Sequence, residues 1–151
     1  QGWDKGDSLA MFVVTIDNEL GDLIEKNKKQ GHYLKSHILS SLGLELAEGF
    51  AEYLHAHIRK KWGLSDPPHM QAIDLFQAKY QGKRYSFGYP ACPDLSGQKV
   101  LFDILDPTKH LGVTLTEGMM MKPESTISAM CVHHPQAKYF SIGDRGYGDE
   151  L

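Results

Sequence analysis

From Ser8 to Ile16 the chain reads SLAMFVVTI, an apolar and partly β-branched run that predicts a buried strand. Asp17 and Asn18 follow as capping residues for a helix from about Glu19 to Gln30. That helix ends in the basic cluster EKNKKQ before Gly31, where lysines suit the negative end of the helix dipole and a solvated terminus. The longest periodic segment runs from about Tyr33 to Trp62 and predicts one long helix. Leu39, Leu42, Leu46, Phe50, Tyr53 and His57 recur every three or four residues and form one helical stripe. Glu45, Glu48, Glu52, His55 and Arg59 gather on the other side, where pairs at i,i+3 and i,i+4 on a wet face account for them. Spacing alone singles out no one glutamate.

SDPPH, Ser65 to His69, breaks the helical pattern, because proline cannot continue a helix and restricts the residue before it. A short helix is expected from about Gln71 to Tyr80, stopped by Gly82, and another from about Ser96 to Leu105 with Leu101, Ile104 and Leu105 inward. DPTKHLG reads as a turn. VTLTE, GMMMK, STISAMCVHH and KYFSI then read as strands, with turn signals at Pro123 and HPQAK, and the glycine-rich GDRGYGDEL is expected to fray. A strand, then helices, then several strands favours an α+β fold with an antiparallel sheet over a doubly wound parallel one.

At 151 residues the chain fits one domain, residues 1–151, with enough surface to bury a core. Charged residues make up 23% and the net charge is −3, which supplies no basic stripe for nucleic acid or an anionic membrane. No apolar run approaches the ~20 residues that span a bilayer. QGWDKGD lacks the pattern of a signal peptide, and the absence of an initiator methionine reads as a processed or excised piece of something longer. Cys92 and Cys131 form no CxxC pair and suit a reducing cytosol.

Eight histidines invite a metal hypothesis, and geometry argues against it. His133 and His134 are adjacent on an expected strand and point to opposite faces; His55 and His57 lie two apart on a helix and cannot share an ion. No HExxH, GxSxG or GxxxxGK[ST] occurs. Met119 to Met121 read as core filling before a soft pocket. No catalytic residue and no metal ligand is assigned.

RYSFGYPACPD, Arg84 to Asp94, is built more stiffly than a connecting loop requires. Gly82 and Gly88 allow backbone angles that other residues resist, and Pro90 and Pro93 freeze the exit. Such a loop can present backbone groups in fixed directions to a flat heterocycle, while Arg84 offers a planar fork for a carboxylate and Tyr89 a ring for a flat partner. Equally, Tyr85, Phe87 and Tyr89 can staple the loop to the core with Arg84 paired to Asp94.

LELAEGFAEYLHAHIRKKWG, YQGKRYSFGYPACPD, GVTLTE and VHHPQAKYFSIG, in this order, resemble the C-terminal half to two-thirds of the activation domain of cobalamin-dependent methionine synthase. The resemblance covers roughly Gly6 to Gly143. It implies an α+β domain around a twisted antiparallel sheet flanked by helices, with one long helix over about 33–62. It also implies part of a cytoplasmic methyltransferase that moves methyl from 5-methyltetrahydrofolate to homocysteine in methionine biosynthesis, a part not active alone. The activation domain of that family binds S-adenosylmethionine and offers its methyl group to cob(II)alamin during reductive methylation. Cobalamin is carried by another domain or chain, and a flavodoxin-like donor supplies the electron.

Carried over residue by residue, the resemblance puts Glu48 at the ligand's α-ammonium, Arg84 at its carboxylate and the Ser86 backbone beside it. Tyr139 and Phe140 fall at the adenosyl side, and Tyr89 faces cobalamin. A zwitterionic head needs one cation and one anion, each gaining charge-assisted bonds. Where this chain has Tyr85, Ser86 and Phe87, many relatives have Pro-Ala-Pro, which a backbone contact survives. The family's domain is roughly twice this length, and its N-terminal part supplies an aspartate to the ligand. The chain alone is therefore expected to bind S-adenosylmethionine weakly. The alternative reading is a docking module for a cobalamin-binding partner that does not itself bind S-adenosylmethionine.

Overall fold

The computed structural model describes residues 8–16, 18–134 and 136–139. In chain order these form β1 (Leu9–Thr15), α1 (Asn18–Lys29), α2 (Tyr33–Lys61), α3 (Ala72–Phe76), β2 (Lys83–Ser86), α4 (Gln98–Leu105), α5 (Pro107–Leu111), β3 (Thr114–Leu115), β4 (Met121–Lys122) and β5 (Thr126–Val132). The fold is α+β, as the element order implies. One sheet has the order β1-β5-β2 and a small second sheet pairs β3 with β4. β2 runs antiparallel to β5, and β3 antiparallel to β4. The expected cap at Asp17 and most of the expected KYFSI strand lie outside the described residues; Lys138 and Tyr139 are described and are not in a strand.

Two compact units divide the chain. The first comprises the residues up to Met11, Leu54–Asp94, and those from Ala129 onward; the second comprises Phe12–Tyr53 and Leu95–Ser128. In the second unit Phe12, Val14, Ala47, Ala51, Leu101, Val113 and Ile127 make the apolar core. Buried polar groups there are bonded. Gln98 donates from Nε2 to the Met119 carbonyl at 2.7 Å and accepts on Oε1 from the Ser128 hydroxyl at 3.0 Å. Ser36 of α2 donates to the Ile24 carbonyl of α1 at 3.1 Å, which ties the two helices together. In the first unit Tyr80, Phe87, Ala129 and Cys131 are buried beside the polar pair His55 and Arg59.

α2 turns its large apolar side chains the other way from the sequence expectation. Leu34, Ile38, Leu42, Leu46, Phe50 and Tyr53 are exposed, whereas Gly43, Ala47 and Ala51 face inward. The physical reason is close approach. A Cβ on Gly43 would stand 2.8 Å from Leu20 Cδ2 and 3.2 Å from Ser125 Cβ, so only a small residue lets the helix seat there. At the other end His55 and Arg59, expected on a wet face, are fully buried.

Four further expectations change. α3 is shorter than the span from Gln71 to Tyr80. Ile104 is exposed, although Leu101 is buried as expected. DPTKHLG is no simple turn, because Asp106, at φ +45°, ends α4 and caps α5, with Pro107 at the first position and Gly112 at φ +68° closing it. Met120 is exposed and does not fill the core.

Candidate ligand-binding site

The stiff loop begins as a strand. β2 pairs with β5 in the register Lys83↔Val132, Arg84↔Cys131, Tyr85↔Met130 and Ser86↔Ala129. Alternation places Arg84 and Ser86 on one face of the strand and Lys83 and Tyr85 on the other. Arg84 Nη1 donates to Ser86 Oγ at 3.1 Å, which braces the guanidinium against its own strand. Ser86 is buried and Arg84 half-buried, so the backbone is fixed while the fork stays within reach of solvent.

On the opposite face the Tyr85 hydroxyl donates to the Lys138 carbonyl at 2.7 Å. Its ring lies parallel to that of Tyr139, with an interplanar angle of 6° and centroids 6.2 Å apart. Burial pushes the Tyr85 phenol above its ordinary range. Phe140 lies outside the described residues.

After β2 the chain folds back on itself. Gly88 N–H donates to the Cys92 carbonyl and Cys92 N–H to the Tyr89 carbonyl, both at 2.8 Å. Tyr89 and Cys92 thereby form an isolated antiparallel bridge around Pro90 and Ala91. Gly88 has φ +84° and Gly82 φ +74°, as the loop's stiffness anticipates. Phe87 is buried and acts as the staple, whereas Tyr89 presents its ring outward at 39% exposure. Burial, then the Asp94 carboxylate, raise the Cys92 thiol and keep it protonated.

Buried Arg59 and half-buried Lys83, the first residue of β2, form a cationic cluster with Tyr80 that the sequence pattern did not single out. The Arg59 guanidinium sits 3.7 Å from the Tyr80 ring centroid, and Lys83 Nζ lies 4.7 Å from it. Lys83 Nζ also donates to the carbonyls of Ala78 and Tyr80, both at 2.6 Å, closing the turn that leads into the strand. Arg59 donates from Nη2 to Asp66 Oδ2 at 2.6 Å and from Nη1 to His55 Nδ1 at 2.8 Å. His55 therefore carries its proton on Nε2, a buried atom with no hydrogen-bond partner among the described residues. Burial first, then the charges of Arg59, Arg84 and Lys83, lower the His55 pKa to about 3. The i,i+4 spacing of His55 and Arg59 was legible, but nothing in it told a buried pair from a wet one.

Glu48 lies half-buried on α2, in the unit formed by Phe12–Tyr53 and Leu95–Ser128. Arg84, Ser86, Tyr89 and Tyr139 belong to the other unit. Among the described residues no group of three or more His, Cys, Asp or Glu could hold a metal ion, and no helix is long and apolar enough to cross a membrane.

Fold and strand chemistry define the class: an α+β domain whose sheet edge carries an arginine fork and a parallel pair of tyrosines. Within that class the chain matches the family of the vitamin B12 dependent methionine synthase activation domain over residues 1–148, and it belongs to that family. It is 34% identical over 142 residues to the methionine synthase of Mycobacterium tuberculosis (strain ATCC 25618 / H37Rv), covering 90% of this chain and 12% of that protein. It is also 34% identical over 145 residues to the methionine synthase of Mycobacterium leprae (strain TN), with the same coverage. The chain thus spans a small fraction of those relatives' length. Among solved structures, the crystal structure of the MetH reactivation domain bound to AdoHcy is similar with a TM-score of 0.81 and 34% identity, covering 88% of this chain and 41% of that one.

Proposed function

We propose that this chain is the S-adenosylmethionine-binding part of a methionine synthase activation domain, and that it presents the ligand's methyl group to cobalamin during reductive methylation. The observation that carries this reading is the likeness, at 34% identity and TM-score 0.81, to a reactivation domain bound to AdoHcy. S-adenosylmethionine differs from AdoHcy by one methyl on sulfur, so the same amino-acid head and adenosyl group would meet the protein.

The residues present suit that ligand. Arg84, braced by Ser86 Oγ, offers a planar fork to the carboxylate, and the paired backbone at Ser86 offers fixed groups beside it. Glu48 would meet the α-ammonium. Tyr139, parallel to Tyr85, supplies an apolar ring face at the adenosyl side, with Phe140 as its neighbour in sequence. Tyr89 stands on the outward turn and would face cobalamin, which another domain or chain carries. When bound, S-adenosylmethionine supplies an electrophilic methyl on a sulfonium; the residues here bind, orient and shield it, and no side chain acts as acid or base. Orientation is the contribution, since holding a reactant in line removes an entropic barrier.

In this reading the chain is part of a methyltransferase that makes methionine from homocysteine and 5-methyltetrahydrofolate in the cytoplasm. Its partners are the cobalamin-binding domain and a flavodoxin-like electron donor. Equilibrium dialysis of radiolabelled S-adenosylmethionine against residues 1–151 tests it. Saturable uptake displaced by AdoHcy is expected; a folded chain with no saturable uptake would leave only a docking role.

A further inference from the structure

Tyr85 lies on the face of β2 opposite Arg84 and Ser86, and it reaches the segment that carries Tyr139. Its hydroxyl donates to the Lys138 carbonyl at 2.7 Å, which ties down the peptide leading into Tyr139. The two phenol rings are parallel within 6° with centroids 6.2 Å apart, inside the range of an offset stack. Ring planes in contact lie about 3.5 Å apart, so this separation slides the rings past each other by roughly 5 Å. The slide leaves much of the facing side of each ring uncovered by the other, and Tyr139 is 46% exposed.

Packing alone does not require this arrangement. Phe87 is the buried ring that anchors the loop, whereas Tyr85 is half-buried and its partner stands at the surface. A surface ring aligned by a neighbour's stack and hydrogen bond is preorganised, which lowers the ordering cost of binding a flat group. β2 is the end strand of the order β1-β5-β2, so a ligand laid across it can keep a charged head at Arg84 and a base on the other face. We infer that Tyr85 is a positioning residue for the ligand's purine: it holds the Lys138 carbonyl and aligns the Tyr139 ring, the surface on which the purine stacks. The inference rests on the S-adenosylmethionine-binding reading and names what orders the adenosyl side of that site.

Titration calorimetry with two ligands tests it: AdoHcy, and 5′-methylthioadenosine, which keeps the adenosyl group and lacks the amino-acid head. Tyr85→Phe keeps the ring and removes the donor. It is expected to weaken both ligands by the same factor, about three- to tenfold, within the value of one neutral hydrogen bond. In a Tyr139→Leu background the same substitution should change affinity less than about twofold, because the ring it aligns is gone. General loosening of β2 would instead reach Arg84 and cost AdoHcy more than 5′-methylthioadenosine, and that result overturns the inference. So does wild-type affinity in Tyr85→Phe, or an undiminished loss in the Tyr139→Leu background. Wild type that binds AdoHcy but not millimolar 5′-methylthioadenosine also overturns it, since the adenosyl side would then offer no seat. No saturable binding of AdoHcy by folded wild type removes the ligand-binding reading and this inference together, whereas the other contrary outcomes leave that reading standing.

Discussion

Arg59 and Asp66 join the end of α2 to the proline break that follows it, with Nη2 2.6 Å from Oδ2 and the Arg59 side chain wholly removed from solvent. The arginine's other arm reaches His55, and its guanidinium covers Tyr80. Removing the carboxylate would leave a buried cation short of its counter-charge. Asp66→Ala is expected to lower stability by about 3 kcal/mol, the low end for breaking a buried pair, because Asp66 keeps some contact with water. Urea denaturation reads this directly, and a variant midpoint equal to wild type would show the pair to be ornamental.

His55 gives the cluster a pH dependence with a definite sign. Its folded pKa is lowered from 6.5 to about 3, so the unfolded chain takes up a proton over that interval while the folded one does not. The resulting stability is full above 6.5 and is lost as pH falls towards 3, with a slope of up to about 1.4 kcal/mol per pH unit. Carboxylates titrate in the lower part of the same window, so the comparison is with His55→Gln, which keeps an acceptor for Arg59 without the titration. Denaturation midpoints between pH 7.5 and 5 should fall less steeply in the variant. Parallel slopes would contradict the assignment.

The turn at Tyr89 makes a separate claim. Its ring is 39% exposed while buried Phe87 anchors the loop, so truncation at Tyr89 should loosen the fold less than truncation at Phe87. Tyr89→Ala is expected to leave S-adenosylmethionine affinity unchanged and to slow methylation of the cobalamin-bearing partner. Cobalamin absorbance during reductive methylation reports this; normal turnover would assign Tyr89 to the loop alone.

The α+β class, the long helix and the glycine angles of the loop were legible because period, proline and glycine act locally. Which face of α2 points inward was not legible. Hydrophobic period locates a stripe, but Gly43 and Ala47 win the inner face through the close approach of Leu20 and Ser125, which no periodicity records. β2 was hidden because a four-residue strand inside a Gly/Pro-rich stretch has too little length to alternate visibly, and it exists through its register with β5. α5 carried a readable signal, Asp106 and Pro107 followed by Gly112, which the reading as a turn passed over. Arg84 was legible as a fork with two possible partners, and its 3.1 Å bond to Ser86 Oγ now fixes how it is braced.

The ligand assignment stands or falls most directly on Arg84. Titration calorimetry of S-adenosylmethionine against wild type, Arg84→Ala and Arg84→Lys makes the comparison. Arg84→Ala is expected to weaken binding by about 1.5–3 kcal/mol, roughly tenfold to a hundredfold, the value of a hydrogen bond to a charged group. Arg84→Lys should recover only part of that loss, since a point charge lacks the planar fork. Affinity unchanged in both variants would contradict the account.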